Sequence, residues 1–147
     1  EGDEKAIPES AKRGLDLFNG KAGCINCHFG GDLTQDIFRN IGTFDGKKLA
    51  DTGRFAVTKG PKDLGRFKVP GLRNVASTAP YMHNGMFKTL SEVIAFYNEP
   101  TKFVKHPQNV SEDIKPLKLT EQEKQDLEAF LVSLTNEQPI KRFIVKP

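Results

Sequence analysis

Cys24-Ile25-Asn26-Cys27-His28 contains both cysteines of the chain and one of its three histidines. Two thiols three positions apart fit on one helical turn. There they can reach the two vinyl groups of a haem and form thioethers, and the histidine directly after them stands beneath the iron as its proximal ligand. Two other chemistries use the same residue types. A redox dithiol of the thioredoxin kind belongs near a βαβ pattern, and the flanking sequence has none. A zinc site needs a second Cys/His pair at ligand spacing, whereas His83 and His106 stand far off and alone. Covalent attachment of one haem c uses both cysteines and the adjoining imidazole with nothing left over. Cys24 and Cys27 are therefore the expected thioether residues and His28 the expected iron ligand.

The rest of the chain then has to wrap that group. Ser10 is placed to cap a first helix whose apolar positions Ala11, Leu15 and Phe18 follow helical spacing, and Asn19-Gly20 stops it just before the cysteine turn. Residues 29–70 are rich in Gly, Asp, Thr and Lys with little periodicity. They read as a long irregular loop with a short helix near Asp36 to Arg39. So long a loop suits a compact domain when it wraps a cofactor. Thr89-Leu90-Ser91-Glu92 is a capping box leading into the stripe Leu90, Val93, Ile94 and Tyr97. Thr120-Glu121-Gln122-Glu123 is a second, leading into Leu127, Phe130, Leu131 and Leu134. The pattern is that of an all-α, single-domain cytochrome c fold with long irregular haem-wrapping loops. It spans residues 1–147, with a polar extension over 1–9 and a tail over 136–147.

Charge narrows the partners. Lys plus Arg number 22 against 19 Asp plus Glu, a formal +3 in 147 residues. The positive charges are scattered, which argues against nucleic acid or an anionic membrane surface, and the two haem propionates would offset most of the excess. No apolar run is long enough for a membrane span, and residues 1–9 are charged rather than signal-like. Covalent haem attachment is an extracytoplasmic maturation and no cysteine is left for a disulfide framework, so a periplasmic or otherwise exported, processed chain is expected.

Two stretches go beyond a generic haem domain. Gly65-Arg66-Phe67-Lys68-Val69-Pro70-Gly71-Leu72-Arg73-Asn74 and Ala79-Pro80-Tyr81-Met82-His83-Asn84-Gly85, followed by residues 89–98, resemble the C-terminal haem domain of bacterial di-haem cytochrome c peroxidases and the related MauG proteins. The tail from Ile114 to Thr135 is similar to the closing helix of that domain. Family members carry two attachment motifs in two domains and a tryptophan between the haems. This chain has one motif and no Trp, so what remains resembles the electron-transfer half.

The resemblance also implies roles for single residues. In the peroxidase branch a methionine ligand falls fourteen residues after the histidine matched by His83, which is the place of Tyr97, and in MauG-type relatives a tyrosine there binds the iron. Tyr97 is thus the leading distal ligand. Met86 and then Met82 are the alternatives, in the manner of single-haem cytochromes that take a methionine from a later loop. A methionine favours ferrous iron, and a phenolate, a hard anion, favours ferric. His83 matches a family histidine that is not an axial ligand and is expected to hydrogen-bond near the haem pocket and fix its loop. Lys68 and Arg73 flank Pro70 and could pair with propionates, Arg73 the better because its planar fork suits a carboxylate. His106 reads as a solvated surface residue. The family's calcium between domains implies the carbonyls of Thr78 and Pro80 as ligands, with the remainder supplied from elsewhere.

These readings favour a one-electron carrier with His/Tyr ligation, or the electron-transfer subunit of a redox assembly. Its partner would be a redox protein, a second haem protein or a second copy of the chain. The alternative is a peroxidase or MauG-like enzyme that reacts with hydrogen peroxide and stores its oxidising equivalent on the haem.

Overall fold

The computed structural model describes residues 5–44, 51–104 and 108–136; His106 and the tail beyond 136 lie outside them. Four α-helices carry the architecture among these residues: α1 (Glu9–Asn19), α2 (Phe55–Thr58), α3 (Leu90–Asn98) and α4 (Glu121–Ser133). Their only sheet is a two-stranded antiparallel ribbon, β1 (Phe38–Arg39) with β2 (Phe67–Lys68).

Helix α1 begins earlier than Ser10. Pro8 occupies the N-cap with φ −66° and ψ 158°, no side chain caps the helix, and the Pro8 carbonyl accepts from Lys12 N at 3.1 Å. Proline's fixed φ suits a helix entrance, which leaves Ser10 inside the first turn. Ala11 and Phe18 are buried as expected, but Leu15 is exposed and the third inward position is Gly14. Gly14 is where α1 crosses α4. A Cβ built there would overlap the Asp126 carbonyl oxygen and stand 2.7 Å from Phe130 Cβ, so only glycine lets the backbones come this close.

The crossing is held by apolar and charged contacts together. Phe18 meets Phe130 edge-on with ring centroids 5.1 Å apart. Beside them Arg13 grips Asp126 in a fork, Nε to Oδ2 at 2.8 Å and Nη2 to Oδ1 at 2.7 Å, and Gln122 Nε2 adds a bond to Oδ1 at 3.1 Å. The carboxylate side chain is 5% exposed and the guanidinium 55%, so the pair is open to water on one side. Arg13 holds the Asp126 carboxyl below its ordinary value. A lowered folded-state value stabilises the fold above the unfolded value of about 4, and that contribution disappears as pH falls through the folded one. Thermal melts from pH ~7 down to ~2 should therefore show Tm dropping in acid, with Asp126→Asn removing part of that slope. An unchanged slope would show that the fork does not contribute.

Both capping boxes form. Thr89 Oγ1 accepts from Glu92 N at 3.1 Å while Glu92 Oε2 accepts from Thr89 N at 3.0 Å, and Thr120 with Glu123 repeats the exchange at 3.2 and 2.7 Å. Asn98, closing α3, accepts from Leu119 N at 2.7 Å and so sets the approach to α4. Phe18, Val75, Leu90, Ile94, Leu127, Phe130 and Leu131 form the core between these helices.

The short helix expected near Asp36 to Arg39 is instead strand β1. Asp36 takes φ +54°, which breaks helical geometry, and Phe38 and Arg39 pair with Lys68 and Phe67. Partners about thirty residues away override local propensity here. The rest of the loop is stapled by buried Asn40, whose Nδ2 donates to the carbonyls of Leu64 (3.3 Å) and Gln108 (3.1 Å) and whose Oδ1 accepts from Gly42 N (2.8 Å). One amide thereby satisfies three backbone groups that an irregular segment would otherwise bury unpaired.

Candidate metal centre

Gly23, at φ +61° in the left-handed region that favours glycine, turns the chain out of α1 into a 3-10 turn, Cys24–Asn26. Cys27 N and His28 N both donate to the Cys24 carbonyl, at 3.1 and 2.9 Å, so both thiols and the imidazole share one tight turn. Cys24 and Ile25 pack against the helical core. Burial pushes the Cys24 thiol up to about 12. With no cation beside it such a thiol stays protonated at neutral pH, and neither cysteine is in a disulfide.

His28 is oriented by backbone carbonyls. Its Nδ1 lies 3.0 Å from the Leu33 oxygen, and the Pro70 carbonyl also bonds the ring. Thr34 Oγ1 donates to the Val69 carbonyl at 2.7 Å and ties those two segments together. A proton on Nδ1 leaves the Nε2 lone pair to a metal. Burial also lowers the imidazole's affinity for a second proton, keeping it in the neutral, ligating form. Phe18 of α1 stands beside the ring, centroids 6.5 Å apart, which places the first helix against the site.

Tyr97 comes to the same place from α3. Its hydroxyl is pushed above its ordinary value first by burial and then by electrostatic interaction with Cys24 and Cys27, which lie within range of it. Two thiols, a neutral imidazole with a directed lone pair and a half-buried phenol fit a haem c rather than a bare ion. Among the described residues no three His, Cys, Asp or Glu side chains gather as a metal cluster.

Over residues 11–135 the sequence matches the cytochrome c family. This chain is a cytochrome c family member. The cytochrome is 38% identical over 167 residues to cytochrome-c peroxidase IdrP1 of Pseudomonas sp. (strain SCT), a match covering 95% of this chain and 43% of that protein. It is 40% identical over 136 residues to methylamine utilization protein MauG of Methylorubrum extorquens, covering 92% of this chain and 37% of that protein. Among solved structures it is similar to a MauG-like protein associated with microbial copper homeostasis, with TM-score 0.80, 38% identity, and 89% of this chain and 48% of that chain covered. The cytochrome spans less than half the length of these relatives.

The other residues singled out in the sequence are more dispersed. His83 stacks on Phe67, centroids 3.6 Å apart and planes 11° from parallel, and its Nδ1 lies 3.4 Å from Thr43 Oγ1. Met86 is 43% exposed and borders a cavity of about 130 Å³ with Thr43, Phe103 and Phe96, the residue before Tyr97 on α3. Met82 sits at φ +68° in the turn before it. Lys68 meets Asp36 at 2.7 Å, and Arg73 Nε donates to the Gly31 carbonyl at 2.7 Å and Asp32 at 3.2 Å, both on the exposed surface. Thr78 and Pro80 lie on an exposed loop in which the Ala79–Pro80 bond is cis.

The carbonyls of Leu33 and Pro70 were not foreseen in the sequence, because backbone acceptors leave no side-chain signature. Pro70 stands inside the recognisable Phe-Lys-x-Pro stretch, the one available hint. No helix among the described residues is long and apolar enough to cross a membrane.

Proposed function

We propose that this cytochrome carries one haem c, bound through thioethers at Cys24 and Cys27, with His28 proximal and Tyr97 distal, and that it passes single electrons between redox partners in the periplasm. The reading is carried by the family match over residues 11–135 together with the single tight turn that holds Cys24, Cys27 and His28, and it is supported by Tyr97 lying within electrostatic range of both cysteines. When bound, the haem supplies a reversible one-electron couple. The Leu33 carbonyl holds the proton on His28 Nδ1 and leaves Nε2 free, the Pro70 carbonyl also bonds the ring, and α3 presents the half-buried Tyr97. Burial alone keeps that phenol protonated. A neighbouring cation reverses the preference, as metal ions do for coordinating acids generally.

With His28 and Tyr97 both holding the iron, peroxide would find no free place to bind, and the chain alone would be a poor peroxidase. The names of its relatives favour one further reading: this is the electron-supplying domain of a peroxidase or MauG-like enzyme, with the peroxide-binding haem in another domain or chain. Carbonyls at Thr78 and Pro80 would then take part in a calcium site only if a partner supplied the remaining oxygens.

Electronic and EPR spectra of the ferric protein, compared with Tyr97→Phe, Met86→Leu and Met82→Leu, test the ligation. The expected result is no sulfur-to-iron charge-transfer band in the native protein, a spectrum changed by Tyr97→Phe, and spectra left as they were by both methionine variants. A sulfur band that survives Tyr97→Phe and is lost with a methionine would overturn the assignment. Rapid turnover of hydrogen peroxide by the isolated chain would overturn the carrier role.

A further inference from the structure

Three buried polar side-chain atoms among the described residues lack a hydrogen-bond partner: Nε of Arg39, Nε of Arg66 and Oγ1 of Thr135. Arg66 has the Asp63 carboxylate 3.7 Å from its Nη1, and Thr135 closes α4. Arg39 differs from both. Its Nη1 makes only a long bond to the adjoining Phe38 carbonyl at 3.4 Å, and among the described residues no carboxylate pairs with it. A half-buried guanidinium with an unpartnered N–H is a group prepared for an anion.

The register of the ribbon shows where that anion would lie. Arg39 stands opposite Phe67, and Ile37 accepts from Val69 N at 2.8 Å, so Ile37, Arg39, Phe67 and Val69 share one face. Val69 on this face is buried, and the next residue, Pro70, presents its carbonyl to the His28 ring. Along this face lie buried Val69, then Phe67 with the His83 ring stacked on it, and Arg39. The opposite face carries Lys68, paired with Asp36, and Phe38, whose ring lies 4.4 Å under the Arg54 guanidinium.

We propose that Arg39 is the haem propionate partner, a role the sequence pointed toward Lys68 and Arg73. The assignment rests on the haem reading above and deepens it. Arg39 is a positioning residue: its planar donors pair with a carboxylate and fix the edge of the group while His28 holds the iron. Lys68 and Arg73 are committed to Asp36 and Asp32 at the surface.

The test uses the matured holoprotein and its Arg39→Gln, Arg39→Lys, Lys68→Gln and Arg73→Gln variants. Resonance Raman spectroscopy reads the propionate-bending band, and a redox titration reads the potential. Arg39→Gln should move the band to lower frequency and lower the potential, because a hydrogen bond and a positive charge are lost together. Arg39→Lys should keep the potential nearer the native value while still shifting the band, and it carries the test should Arg39→Gln fail to mature. Lys68→Gln and Arg73→Gln should superimpose on the native protein. A band and potential unmoved by either Arg39 variant, or moved by Lys68→Gln or Arg73→Gln instead, would overturn the proposal. A colourless native protein would fail the haem reading itself, an outcome distinct from a coloured protein whose band ignores Arg39.

Discussion

His28→Ala should cut the yield of stable, low-spin holoprotein by at least about tenfold, the lower end of what removal of even an outer partner costs a metal site. The ring cannot be replaced from nearby. Its Nδ1 is committed to the Leu33 carbonyl, its neighbour Phe18 has no donor, and His83 is held against Phe67 and Thr43. Cys24 and Cys27 remain in the variant, so covalent attachment is chemically intact and the defect should show at the iron. The measurement is the ratio of haem absorbance to protein, read together with the spin state. A variant that stays low-spin at native yield would show that His28 is not the proximal ligand.

Gly14→Val should cost at least about 3 kcal/mol, near the upper end of ordinary overpacking and roughly 10 °C in Tm for a chain of this size. The obstacle is the Asp126 carbonyl and the Cβ of Phe130, not a side-chain tip that can swing away. To admit the new atoms α1 must move off α4, which loosens the Phe18 to Phe130 contact and the Arg13 to Asp126 fork together. Folded domains hold only about 5–15 kcal/mol in total, so this single change removes a large part of the margin. Leu15→Ala, one residue on and exposed, is the control and should shift Tm little. Equal melting of Gly14→Val and the native holoprotein would mean that the helices do not meet as described.

What the sequence made legible follows the range of the interactions involved. Both capping boxes and the cysteine turn depend on residues within a few positions of one another, and each forms where its residues stand. Leu15 and Gly14 exchange places because periodicity marks an apolar side chain as inward, whereas a helix crossing at this distance requires the absence of one. Helix α1 starts at Glu9 with Pro8 at its N-cap, earlier than a serine cap at residue 10 would set it, so Ser10 falls inside the first turn. Strand β1 and the Asn40 staple depend on residues 64–68 and 108, far along the chain, and nothing local announces them. The propionate partner shows the same limit. Lys68 and Arg73 have the right chemistry, but each meets an aspartate that only folding brings near, while Arg39 is left with an unpaired donor.

The central claim is covalent attachment of one haem at residues 24–28. Its most direct test is the intact mass of the chain matured in an export-competent host, followed by the mass of the proteolytic peptide containing Cys24 to His28. The account requires one haem that stays on that peptide through acid and organic solvent, with both thiols consumed. Recovery of the peptide with two free, alkylatable cysteines and no added mass would contradict it.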